Sequence, residues 1–167
     1  TSCAAAQGLA LGLDCPVLPL DSLLLVAEQA QRAAGLAGQP FDIGVAMDAR
    51  MGEIYAAHYV HDGRRWQVRS APGLWAPADL AQAWAAQPPA HAAGSALPFF
   101  TEALSAACPR TQAVDVDDDR ASALAELASQ AWRAGAGCDA ADALPVYLRD
   151  KVAQTTAERE AARALAR

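Results

Sequence analysis

Asp48, Arg50 and Glu53 place two carboxylates and a guanidinium within six positions, between two strand-like runs. If one carboxylate were buried and its pKa raised, this trio could do general acid–base chemistry. The alternative is a charge-assisted network that pins the turn, or a contact for a partner or nucleotide in a cleft. Arg149, far along the chain, is a candidate fourth member. A second place for chemistry is Gly94-Ser95-Ala96, between a strand and a helix, where glycine permits close approach of the backbone to a ligand. One glycine is a weak fingerprint. His58, His61 and His91 raise the question of a metal, but there is no His-Glu-x-x-His. His58 and His61, three apart in a strand, face opposite sides of a sheet. No Gly-x-Ser-x-Gly supports a serine hydrolase, and Ser22 reads as part of a helix cap. Cys3, Cys15, Cys108 and Cys138 fit neither a zinc pattern nor a redox motif and read as reduced thiols. The residues therefore predict no metal, no cofactor and no nucleotide site.

The elements that hold these residues follow from periodicity and punctuation. Ile43 to Met47 is almost wholly apolar, as a strand buried on both faces should be. Strands are expected at about 42–48, 53–61 and 65–71, joined by hairpins, the second marked by His61-Asp62-Gly63-Arg64. Pro77 opens a helix to about Ala86. A strand over His91–Ala96, a helix over Leu97–Ala107, a strand over Thr111–Val116 and a helix over about Arg120–Ala134 complete a βββαβαβα order. Upstream lie a helix over Ser2–Leu13 with Gly12 as its C-terminal cap, a strand over Cys15–Leu20, and a helix from Leu23 to Ala34 capped by Asp21-Ser22. Ala37-Gly38-Gln39-Pro40 reads as a linker. The domain expectation is a remnant of a first lobe (1–36), a linker (37–41), a complete second lobe (42–150) and a polar tail (151–167).

The chain has 167 residues, of which 53% are hydrophobic, so one packed core is within reach. No run approaches the roughly 18 apolar residues of a membrane helix, and no signal peptide is read. The net charge is −6 and Lys151 is the only lysine, which argues against direct binding to nucleic acid. Trp66, Trp75, Trp84 and Trp132 are spread over different elements and read as packing residues, not as a stacking platform.

The α/β order, together with Gln7-Gly8-Leu9-Ala10-Leu11-Gly12, Asp48-Ala49-Arg50-Met51-Gly52-Glu53-Ile54-Tyr55 and Pro145-Val146-Tyr147-Leu148-Arg149, closely resembles the bacterial TsaB (YeaZ) family over nearly the whole chain. The resemblance implies an actin-like, sugar-kinase-like ATPase (ASKHA) fold. It also implies that the chain is N-terminally truncated, because the family's opening strand, with Asp-Thr-Ser or Asp-Thr-Ala, has no counterpart here. The implied function is that of a non-catalytic, cytoplasmic scaffold for making threonylcarbamoyladenosine beside the anticodon of tRNA. Such a scaffold pairs with TsaD and helps recruit TsaE, meets tRNA only through the complex, and can pair with a second copy. Ala4, Ala5, Gly8, Leu9 and Gly12 would form the partner face. Asp48, Arg50, Gly52, Glu53, Tyr55, Tyr147 and Arg149 would be a structural signature. The alternative is a degenerate ATPase or glycoprotease-like enzyme of the same fold.

Overall fold

The computed structural model describes residues 2–100, 104 and 106–149. Five strands form one mixed sheet in the order β3-β2-β1-β4-β5. β1 (Pro40–Asp48), β2 (Ile54–Asp62) and β3 (Trp66–Trp75) are an antiparallel meander. β4 (His91–Ala93) and β5 (Gln112–Ala113) add in parallel beside β1. Helices α1 (Ser2–Leu13), α2 (Ser22–Ala33), α3 (Pro77–Ala86) and α4 (Ala121–Arg133) accompany them, with a 3-10 turn, η1 (Ala140–Asp142). Among the described residues no helix is long and apolar enough to cross a membrane.

The sheet is covered on both faces, which is why β1 carries no polar alternation in its centre. On one face, Ile43 and Val45 of β1 share a core with Ala57 and Tyr59 of β2 and with α2. Helix α2 presents Leu23, Val26, Ala27 and Ala30, an i, i+3, i+4, i+7 stripe, all of them buried. Its first turn is fixed by Asp21, whose Oδ1 accepts from Leu23 N at 2.9 Å. Asp21 also accepts from the buried Tyr59 hydroxyl, joining the helix start to β2. Burial, with this bond to Asp21, pushes the Tyr59 phenol well above its ordinary pKa. On the opposite face, Ala46, Ile54 and Ala56 pack against Leu80 and Trp84 of α3. Gly44 makes room for the indole: a Cβ there would lie 2.5 Å from Trp84 Cζ2.

The meander turns behave as expected. At the second hairpin Asp62 Oδ1 accepts from the backbone N–H groups of Arg64 (2.8 Å) and Arg65 (2.9 Å). Those bonds, that of Arg65 foremost, hold its carboxyl at about 2.

Several expectations are corrected. Gly12 does not cap α1; the helix runs through it to Leu13, and the left-handed residue is Asp14 (φ 49), where Cys15 N bonds Ala10 O. The strand over Cys15–Leu20 shrinks to one bridge, Val17 with Cys138, because Pro16 and Pro19 supply no N–H to a ladder. The strand over Thr111–Val116 is paired only at Gln112–Ala113, with Val114 N adding a bond to Ala92 O. Ladder pairing at His91–Ala96 stops at Ala93. Pro40 and Phe41, expected in the linker, begin β1, and α2 buries its stripe against the sheet. The helix expected over Leu97–Ala107 and the tail at 151–167 fall partly or wholly outside the described residues.

Candidate functional site

The turn between β1 and β2 runs through three consecutive left-handed residues, Arg50 (φ 64), Met51 (φ 57) and Gly52 (φ 75). Only Gly52 adopts this conformation without steric cost; for L residues it costs about 1 kcal/mol each. The turn closes on itself through Ala49 N to Glu53 O (3.0 Å) and Glu53 N to Arg50 O (3.1 Å). Asp48 Oδ1 accepts from Arg50 N at 2.8 Å, an Asx turn. Its other oxygen meets Arg50 Nη1 at 3.1 Å, but that guanidinium is 86% exposed, so the ion pair contributes little.

The stronger support comes from a distance. Arg149 Nη2 donates to Ala49 O at 2.9 Å, and Arg149 Nη1 lies 2.6 Å from Glu53 Oε2. With 14% of its side chain exposed, this guanidinium is the best-shielded charge at the turn. Ser95 supports the other flank, its Oγ accepting from Asp48 N at 3.1 Å. Thus Asp48, Arg50, Gly52, Glu53 and Arg149 come together, and Ser95 joins them. Tyr55 lies further along β2, half-buried against the α2 face. Tyr147 does not join: it is 81% exposed, in a segment that is neither helix nor strand, with Leu144 and Val146.

The arrangement is poorly suited to acid–base work. Each carboxylate already has a guanidinium and neither is buried, so no desolvated base faces an open cleft. Arg149→Met is expected to cost about 2 kcal/mol in urea denaturation, for loss of charge-assisted bonds to a partly shielded partner. Glu53→Gln, which keeps an acceptor for Arg149, should cost under about 1 kcal/mol. Equal losses would mean that the charge, not the bond to Ala49 O, supports the turn.

His58 and His61 are held by hydrogen bonds within the fold. His58 Nε2 lies 2.9 Å from Asp42 Oδ1, and His61 Nδ1 lies 3.0 Å from Gln39 O. Both are buried, in the α3 and α2 faces respectively, and no group of His, Cys, Asp or Glu able to hold a metal occurs among the described residues. Asp42 is the important residue that motif reading missed. Its carboxylate accepts from Arg69 Nη1 (3.1 Å) and Ala90 N (3.0 Å) as well as contacting His58. The available signal was an acidic residue inside a strand otherwise apolar enough to be buried.

Helix α1 packs through one side only. Cys3, Ala6, Gln7 and Ala10, an i, i+3, i+4, i+7 set, are buried or half-buried, and the helix lies against η1. Ala4, Ala5, Gly8, Leu9 and Gly12 are all exposed, and Leu9, Leu11 and Leu13 are 66%, 81% and 72% exposed. A Cβ added at Gly8 or Gly12 would meet nothing. The small-residue face singled out in the sequence is therefore open.

Comparison with known proteins agrees with this architecture. A family model described as TsaD, tRNA N6-adenosine threonylcarbamoyltransferase, matches residues 1–157. The Escherichia coli (strain K12) tRNA threonylcarbamoyladenosine biosynthesis protein TsaB is 42% identical over 57 residues, which are 34% of this chain and 23% of that protein. A crystal structure of a Pseudomonas aeruginosa protein described as similar to peptidase YeaZ superposes with a TM-score of 0.71 at 32% identity. It covers 89% of this chain and 66% of its own. A second structure, YeaZ from Pseudomonas aeruginosa, gives 0.68 at 29% identity, covering 87% and 66%. The chain thus spans just under two thirds of the length of these structures. With an α/β sheet of the YeaZ kind and a family match over nearly its full length, the chain belongs to the threonylcarbamoyltransferase (TsaD) family, in its TsaB/YeaZ branch.

Proposed function

We propose that the chain is a non-catalytic scaffold in the formation of threonylcarbamoyladenosine in tRNA. In this reading it pairs with a TsaD-type transferase through the open face of α1 and helps create the docking place for TsaE. Residues 42–150 act as the second actin-like lobe, and residues 1–36, which hold α1 and α2, as a remnant of the first. The observation that carries the reading is the exposed face of α1, where small residues permit close helix–helix approach and Leu9 is uncovered. The engaged charges of the β1–β2 turn support it from the other side, since they leave no evident acid or base. The net charge of −6 suits a subunit that meets tRNA only through its partners.

Leu9→Asp and Gly8→Trp test the proposal. Both positions are open, so the circular dichroism spectrum should be unchanged, while affinity for the transferase in calorimetric titration falls by at least about tenfold. Unchanged affinity in both variants would refute the α1 interface. A second copy of the chain is the competing occupant, and self-association in sedimentation that the transferase fails to displace would favour it. Titration with ATP and Mg²⁺ is expected to show no tight site; a tight one would favour the degenerate-ATPase reading.

A further inference from the structure

The segment that carries Arg149 is thinly attached to the rest of the fold. It leaves η1 from a fixed place, since Ala143 is buried and Leu144 N donates to Asp142 O at 2.8 Å. Beyond that point Pro145, Val146, Tyr147 and Leu148 make no hydrogen bond to another described residue. Leu148 is half-buried, but Val146 and Tyr147 are 82% and 81% exposed. The firm attachment comes only at the far end, where Arg149 Nη2 donates to Ala49 O and Nη1 meets Glu53 Oε2. Met51 Sδ lies 3.3 Å from the same Nη1.

What Arg149 grips is itself under strain. Arg50 and Met51 are L residues at φ 64 and 57, and their side chains are exposed, so packing does not offset the cost. Two weakly held parts, the segment and the turn, therefore depend on one guanidinium. When its contacts break, the segment has no other hydrogen bond to hold it, and the turn is free to leave the left-handed region. That relaxation offsets part of the lost bonding, which keeps the opening cheap and local. The sheet need not take part, because the β1–β2 ladder ends at Asp48 and Ile54, just short of the turn. We propose that Arg149 is a latch: residues 144–149 and the turn at 49–53 undock from each other as one unit while the sheet stays folded. The proposal does not rest on the scaffold reading.

The test uses the full chain labelled with ¹³C-methyl methionine and 3-fluorotyrosine, read by relaxation-dispersion NMR. With two methionines and three tyrosines, every signal can be assigned by substitution. The Met51 methyl and the Tyr147 fluorine should exchange with one shared minor state, populated at about 1%. Met47 and Tyr59, in β1 and β2, should show no such exchange. Arg149→Gln should move the Met51 and Tyr147 signals to their minor-state positions with the circular dichroism spectrum unchanged. Gly52→Ala adds strain to the turn without touching the segment, so it should raise the minor population at Tyr147 by at least about threefold. If Arg149→Gln does not fold, wild type and Gly52→Ala still decide. Absence of exchange at both probes overturns the proposal. So do different minor populations at Met51 and Tyr147, a response to Gly52→Ala at Met51 alone, or exchange shared with Met47 and Tyr59.

Discussion

Gly94→Ala is expected to lower the unfolding free energy by about 4 kcal/mol, the top of the range for single substitutions, or to prevent folding altogether. Gly94 follows β4 with φ +124, a region that L residues rarely adopt. Space is as limiting as the dihedral. A Cβ would lie 2.2 Å from Ala46 O and 2.8 Å from Ala46 C, in the centre of β1, where no flexible side chain can give way. The same carbonyl accepts from Ala96 N at 3.0 Å, so pushing it aside also breaks the bond that leads the chain out of the sheet. Gly52→Ala is the matched control. It too has positive φ (+75), but nothing lies near its would-be Cβ, so about 1 kcal/mol is expected. Urea denaturation of both variants decides the matter. A loss for Gly94→Ala no larger than for Gly52→Ala would mean that β4 does not approach β1 this closely.

This pair of glycines shows what a single sequence can and cannot convey. Gly94-Ser95-Ala96 stood out because a glycine after a strand lets a backbone come close to something. That the something is Ala46 of the neighbouring strand, with Ser95 turned to Asp48, depends on a parallel pairing about 48 residues apart, which no local pattern records. The β1–β2 hairpin was legible because an apolar run, a charged turn and a second strand are contiguous. So were α2, capped by Asp21, and α3, opened by Pro77, since these signals and the apolar stripes are local. The surface that α2 covers was not: its stripe fits any apolar surface, and only the fold shows that it meets this sheet. Gly12 illustrates the limit of punctuation. Glycine permits a helix end without requiring one, and the neighbouring Asp14 took the left-handed position instead. Arg149 was legible as a member of a motif, but its anchoring of a strained turn through Ala49 O is a long-range contact between backbone and side chain.

Asp42→Ala should cost about 3 kcal/mol. Asp42 sits near the start of β1 and reaches three other elements: His58 on β2, Arg69 on β3 and the backbone N–H of Ala90 just before β4. Removing a carboxylate from such a set leaves its partners, not just itself, without bonds. The partners differ in how much they lose. Arg69 is half exposed and recovers water, so its pair with Asp42 is worth under about 1 kcal/mol. His58 has only 4% of its side chain exposed, so most of the cost arises there. A double-mutant cycle separates the two: coupling of Asp42 to His58 should exceed coupling of Asp42 to Arg69 by at least about 1 kcal/mol. Asp42→Asn should fall between wild type and Asp42→Ala, because an amide oxygen can serve one of the donors but not all three. A loss below about 1 kcal/mol for Asp42→Ala, with little coupling to His58, would show that the ladder bonds alone hold these strands in register. Asp42 would then be a bystander in the strand that carries both the candidate turn and the core.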